Sequence, residues 1–188
     1  MGLNRNPTAE AFVLMTPTSY IVLGLIERYG PASSYDLKRL AADALGNFWT
    51  IVHSQLYRTT EQLAKDGHLD PTTEITPGGR GRIVYRLARS GRNLLAQWRT
   101  EEVADLTELR DPGLLKLYFG ADPRGLAPAQ AAAHRRQLRA YEQRRTTDDG
   151  SDPRGPWLTL EAGIDHERVW VRYWDRLAAG AVDQASNL

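Results

Sequence analysis

Between Asn47 and Leu87 the sequence changes its hydrophobic period, which limits what the chain can fold into. At about 100° per residue, Val52, Leu56, Thr60 and Leu63 fall on one side of a helix. Ser54, Arg58, Glu61 and Lys65 fall opposite, flanked by Gln55 and Gln62. Gly67 follows as the expected helix-ending residue. Beyond it the period is two: Ile83, Tyr85 and Leu87 alternate with Val84 and Arg86, as in a half-buried strand. Pro77, Gly78, Gly79 and Gly81 mark a turn between this run and His68–Ile75. The spacing predicts a helix over 53–65 and then a β-hairpin with Arg80 and Arg82 at its tip. From Ile75 to Thr100 there are six arginines and no acid, so a positive local field is expected.

Two helices precede this unit. Thr16 caps the first and Pro17 takes its first helical position; Tyr20–Ile26 make it largely buried, and Tyr29-Gly30-Pro31 ends it. Ser33 or Ser34 caps the second, Tyr35–Leu45, with an apolar stripe at Leu37, Leu40, Ala41, Ala44 and Leu45. Asn47–Thr50 is a short connector with two aromatics to bury. Three helices followed by a hairpin within about 75 residues make a complete winged helix-turn-helix. The candidate DNA contacts are Ser34, Tyr35 and Lys38 on the second helix, His53, Ser54, Gln55, Tyr57, Arg58 and Lys65 on the third, and Arg80 and Arg82 on the wing. Phosphates and base edges accept from such groups. His53 is as much a structural candidate as a phosphate contact.

A second helical region starts at Ser90-Gly91, with Leu94, Leu95 and Trp98 on its apolar side. Arg110–Gly120 reads as a short buried helix, Asp122–Pro128 as a turn, Ala129–Arg145 as a helix, and Thr146–Pro156 as a mobile loop. The last helix, Trp157 to about Ala179, steps by three and four through Trp157, Leu160, Ile164, Val171, Trp174 and Ala178, with Glu167 in the remaining place. That stripe, Trp157, Leu160, Ile164, Glu167, Val171 and Trp174, is the expected dimer interface. A lone buried carboxylate would cost several kcal/mol, so Glu167 should be paired or lie at the seam's open edge, with an arginine such as Arg92 or Arg99 the expected partner. The alternative is a helix packed within its own subunit, with Glu167 facing water. The fold class is therefore mainly α with a small β-hairpin. The expected domains are an N-terminal arm (1–15), the winged helix-turn-helix (16–89), a C-terminal helical dimerisation and effector domain (90–179) and a tail (180–188).

Composition excludes more than it selects. The chain of 188 residues carries 24 Lys and Arg against 23 acids, a net charge of +1, so charge placement must argue for or against nucleic acid. Without cysteine there is no disulfide, thiolate metal site or cysteine nucleophile. His53, His68, His134 and His166 have no metal-ligand spacing on one helix, and Gly78–Gly81 lacks the strand-to-helix context of a nucleotide phosphate loop. No metal, no cofactor and no enzymatic activity are expected. No apolar run approaches a membrane span, and the start lacks the pattern of a signal peptide; a soluble, cytoplasmic protein is expected. The surplus of aromatics suggests an apolar cleft for a small aromatic effector, lined from Trp98, Tyr118, Phe119 and Trp170.

Taken together, Tyr20–Ile26, Ser34–Leu37, Trp49, Gln55-Leu-Tyr-Arg58 with Leu63, Asp66 and Gly67, and Val84–Leu87 with Gly91 resemble the PadR-type transcriptional regulators. Arg110-Asp111 with Leu115–Leu117, and Trp157, Leu160, Glu161, Gly163, Ile164 and Glu167-Arg168, resemble the C-terminal domain of the longer members. The match runs from about residue 16 to 178. The resemblance implies a homodimeric repressor on a palindromic double-stranded operator, released by a small effector. Arg58 departs from the pattern, since many members have a small residue or proline there. The competing reading is a winged-helix module for protein–protein interaction without DNA binding. The arginines at the wing tip favour DNA.

Overall fold

The structure is a computed structural model that describes residues 15–46, 48–75, 81–147 and 154–180. The expected arm and tail, most of the expected 146–156 loop, and wing residue Arg80 lie outside them. The chain divides into two compact units, residues 1–104 and 105–188.

The first unit holds helices α1 (Pro17–Tyr29), α2 (Ser34–Leu45) and α3 (His53–Lys65), strands β1 (Leu69–Ile75) and β2 (Gly81–Leu87), and helix α4 (Arg89–Trp98). Thr16 and Pro17 begin α1 as expected, and the cap of α2 is Ser33, whose hydroxyl accepts from Asp36 N–H. Gly67 ends α3 with φ +73°, a conformation that favours glycine. Val22, Leu23, Leu25 and Ile26 of α1, Leu37 of α2, Leu56 and Leu63 of α3, Leu69, Tyr85 and Leu95 form one core. A helix whose apolar stripe faces such a core draws most of its stability from packing.

The hairpin is antiparallel, with Glu74 opposite Arg82 and Asp70 opposite Arg86. Tyr85 also exchanges backbone hydrogen bonds of 3.2 and 3.0 Å with Ala32, which ties the α1–α2 connection to the wing. That third rung alters the expected alternation: Val84 and Tyr85 are both buried, while Ile83 is exposed. Phe48, Trp49 and Val52, expected inside, are exposed as well. Helix α4, grouped with the C-terminal region in the sequence reading, packs on α1. Trp98 stacks on Tyr20 at 4.7 Å and 9°, and Arg99 pairs with Glu27. Gly91 permits this approach, because a Cβ there would lie 2.4 Å from the His68 carbonyl oxygen.

The second unit holds α5 (Pro112–Tyr118), α6 (Pro123–Thr146) and α7 (Arg154–Ala178). Three expectations need correction. Helix α5 is mostly exposed, with Leu115, Tyr118 and Phe119 facing outward. Helix α6 starts six residues earlier than expected: Asp122 caps it, Pro123 opens it and Pro128 lies inside. Pro128 forfeits one intrahelical hydrogen bond, but Ala127 and Ala131 beside it are buried against Trp174 and Leu177. Glu167 is buried, and its partner is His134 Nδ1 at 2.6 Å. Arg92 donates instead to the Leu87 carbonyl and Arg99 to Glu27, both within the first unit. The contacts between α6 and α7 pair early residues of one with late residues of the other, from Arg135–Asp175 to Arg145–Glu161, so the two helices run antiparallel. Of the expected dimer stripe, Ile164, Glu167 and Trp174 are buried within the chain, Leu160 and Val171 are half-buried, and Trp157 is exposed.

Candidate nucleic-acid interface

Helix α3 has two chemically distinct faces. Leu56, Thr60 and Leu63 are buried, and the Thr60 hydroxyl donates to the Leu56 carbonyl at 2.9 Å, which satisfies a polar atom inside the core. Ser54, Arg58, Glu61, Gln62 and Lys65 are exposed, with Gln55 half-buried. Arg58 and Lys65 form no ion pair with any described residue, so both cations are available to an outside anion. His53 and Tyr57 are exposed on the same short helix. On α2, Tyr35 is exposed and Ser34 and Lys38 are half-buried.

The wing differs from the sequence expectation in its field. Acids absent from residues 75–100 arrive from other elements. Arg82 reaches Asp36 of α2 and Glu74 of β1, each at 3.3 Å, and Arg86 lies 3.9 Å from Glu74. The signal for Asp36 was its spacing of three from Ser33, the spacing of a capping box at the start of α2. Glu74 was legible only through the hairpin register.

Hydrogen bonding from Ser33 first, and the Arg82 guanidinium after it, hold the Asp36 carboxyl below its ordinary value of 3.8, against the opposing effect of burial. A lowered native value means that the carboxylate stabilises the fold above the ordinary one, and that this is lost as pH falls through the lowered one. Asp36→Ala should therefore cost about 1 kcal/mol near neutral pH. The difference from wild type in urea midpoint should close below about pH 4. A difference that stays constant down to acid pH would assign Asp36 no electrostatic share.

The expected effector residues fall in different places. Trp98 lies in the first unit, stacked on Tyr20, whose hydroxyl is raised in pKa by burial and then by Glu101. In the second unit Tyr118 and Phe119 meet edge to face at 5.2 Å on the exposed side of α5. Trp170 packs in the α6–α7 pair, stacked on His134 at 5.7 Å, with its Nε1–H donating to His166 Nε2 at 2.9 Å. His134 of α6 and His166 of α7 both meet Trp170, which their distance apart in the sequence did not disclose. For His166 the signal was its spacing of four from Trp170. Among the described residues no group of His, Asp and Glu is placed to hold a metal ion, and no helix is long and apolar enough to cross a membrane.

Comparison with known proteins accords with this geometry. Residues 22–97 match the transcriptional regulator PadR-like family, and residues 109–180 match the virulence activator alpha C-terminal family. The chain is similar to the negative transcriptional regulator PadR of Bacillus subtilis, 31% identical over 105 residues. That stretch is 56% of this chain and 57% of the relative, so the match spans little more than half of the curated protein. The crystal structure of Bacillus subtilis PadR with operator DNA superposes with a TM-score of 0.77 at 24% identity, covering 88% of this chain and 98% of that one. The same regulator in complex with p-coumaric acid gives 0.70 at 26% identity, covering 86% and 96%.

Proposed function

We propose that this chain, whose residues 22–97 match the PadR-like family of transcriptional regulators, is a homodimeric repressor that docks α3 into the DNA major groove. The observation that carries this is the outer face of α3, where Arg58 and Lys65 are exposed beside Ser54 and Gln55 without an ion-pair partner among the described residues. Ser34, Tyr35 and Lys38 of α2, together with His53, Tyr57 and the wing arginines, then contact the flanking backbone. Such contacts position the protein, while base-edge contacts from α3 select the sequence. The repressor reading draws on the relative named a negative regulator.

Two such units about one helical turn apart, roughly 34–36 Å, read a palindrome. The C-terminal region, residues 90–179 with α6 and α7 at its centre, supplies the dimer in this reading. Ile164, Glu167 and Trp174 are already buried within the chain, so the exposed α7 residues Trp157, Leu158 and Val169 are what a partner subunit has left to bury. A relative crystallised with p-coumaric acid motivates a small aromatic acid as effector, with Tyr118, Phe119 and Trp170 of the second unit as candidates. Linkage requires effector and DNA to weaken one another by the same factor.

The experiment is a gel shift of the full chain on DNA from upstream of its own gene, across a salt series and with p-coumaric acid added. Binding should fall steeply with salt and weaken with the acid. No shift at low salt would favour the protein-interaction module. A shift indifferent to the acid would remove the effector reading alone.

A further inference from the structure

Arg82 and Arg86 stand on the wing, yet in the structure both face carboxylates. Arg82 divides its guanidinium: Nη1 lies 3.3 Å from Asp36 Oδ2, and Nη2 lies 3.3 Å from Glu74 Oε2. The other oxygen of Glu74 lies 3.9 Å from Arg86 Nη2. The arrangement is built into the fold. Glu74 is the cross-strand partner of Arg82, where opposite charges attract. Asp36 is anchored by the backbone N–H of Ser33 at 3.1 Å and its hydroxyl at 2.7 Å. Two carboxylates therefore meet two guanidiniums near the tip of the wing, so the charges of these four groups offset one another. The side chains of Arg82, Arg86 and Glu74 are 47%, 55% and 39% exposed, open to an incoming anion.

Carboxylate and phosphate offer a guanidinium the same thing, a pair of anionic oxygens matched to its fork. We propose that Asp36 and Glu74 are an internal stand-in for DNA phosphate, holding the wing arginines in a self-neutralised latch that a duplex must displace. Glu74 is the positioning residue, because it faces both arginines. This inference rests on the DNA-binding reading and adds a cost to it. Exposed ion pairs are weak, so the latch lowers affinity by at most about fivefold. It does so on every sequence alike, since phosphates carry no base identity.

The test is fluorescence anisotropy of the full chain on a fluorescein-labelled duplex of mixed sequence at low salt. It compares wild type, Glu74→Gln, Arg82→Ala and the double variant. Glu74→Gln keeps shape and removes charge at an exposed position, so its thermal melting should match wild type. It should bind about three- to fivefold more tightly. In the Arg82→Ala background the same change should gain less than about twofold, because its main partner is gone. No gain from Glu74→Gln overturns the latch. An equal gain in both backgrounds also overturns it, because Glu74 would then act only as bulk negative charge. A wild-type chain that binds no duplex removes the DNA reading and the latch together, whereas wild-type binding with an inert Glu74→Gln removes the latch alone.

Discussion

Replacing Trp174 with alanine is expected to cost about 3–5 kcal/mol, the usual price of emptying a buried aromatic site. Trp174 is fully buried between α6 and α7 and packs with Ala127, Ala131 and Leu177. Small alanines on α6 bring the helices close around the indole, and a cavity there cannot be refilled by rotamer changes of Ala127 or Ala131. The indole N–H has no partner among the described residues, and a buried unsatisfied donor is itself unfavourable by about 1–3 kcal/mol. Trp174→Phe should therefore lose much less than Trp174→Ala, since it keeps most of the ring and removes the orphan donor. Urea unfolding followed by helical circular dichroism checks both variants. An alanine variant within 1 kcal/mol of wild type, on the scale of about 3–5 set by other buried aromatics, would mean that Trp174 does not centre the α6–α7 pair.

Arg58→Ala is expected to weaken binding to the upstream DNA by about 5- to 150-fold, the 1–3 kcal/mol of a good base contact, and to relax sequence preference. Stability should change by no more than about 0.5 kcal/mol, because the side chain is exposed and unpaired among the described residues. Lys65→Ala, at the far end of the same face, should weaken binding more evenly across sequences, as a phosphate contact does. Competition gel shifts with upstream and unrelated duplexes separate the two behaviours. Equal loss on both duplexes for Arg58→Ala would reassign that residue to the backbone.

How far the sequence could be read depended on whether a feature was local. The limits of α3, His53–Lys65, followed from the 3.6-residue period and Gly67, and the structure has the same limits. The cap Thr16 was legible, and that of α2 was narrowed to Ser33 or Ser34, because capping is settled within four residues. Helix α6 was cut short because Asp122–Pro128 has turn composition. What overrides that composition is the burial of Ala127 and Ala131 against Trp174, more than forty residues later in the chain. The α7 stripe was correctly seen as apolar, but periodicity does not say whether its cover comes from the same chain or a second one. For Glu167 and Trp174 the cover is α6. The Glu167 partner failed for the same reason: His134 is opposite only once α6 and α7 are antiparallel. The pairing of Arg82 needed the strand register that sets Glu74 across from it.

In the DNA-bound state the outer face of α3 is expected to lie against the duplex. Site-specific photo-crosslinking tests it most directly, with a benzophenone-bearing phenylalanine analogue placed at Arg58 in one protein and at Leu158 of α7 in another. Both positions are exposed. With labelled upstream duplex and ultraviolet light, the account predicts a protein–DNA adduct from position 58 and none from position 158. No adduct at 58 while the protein still shifts the duplex, or equal adducts at both positions, would contradict it.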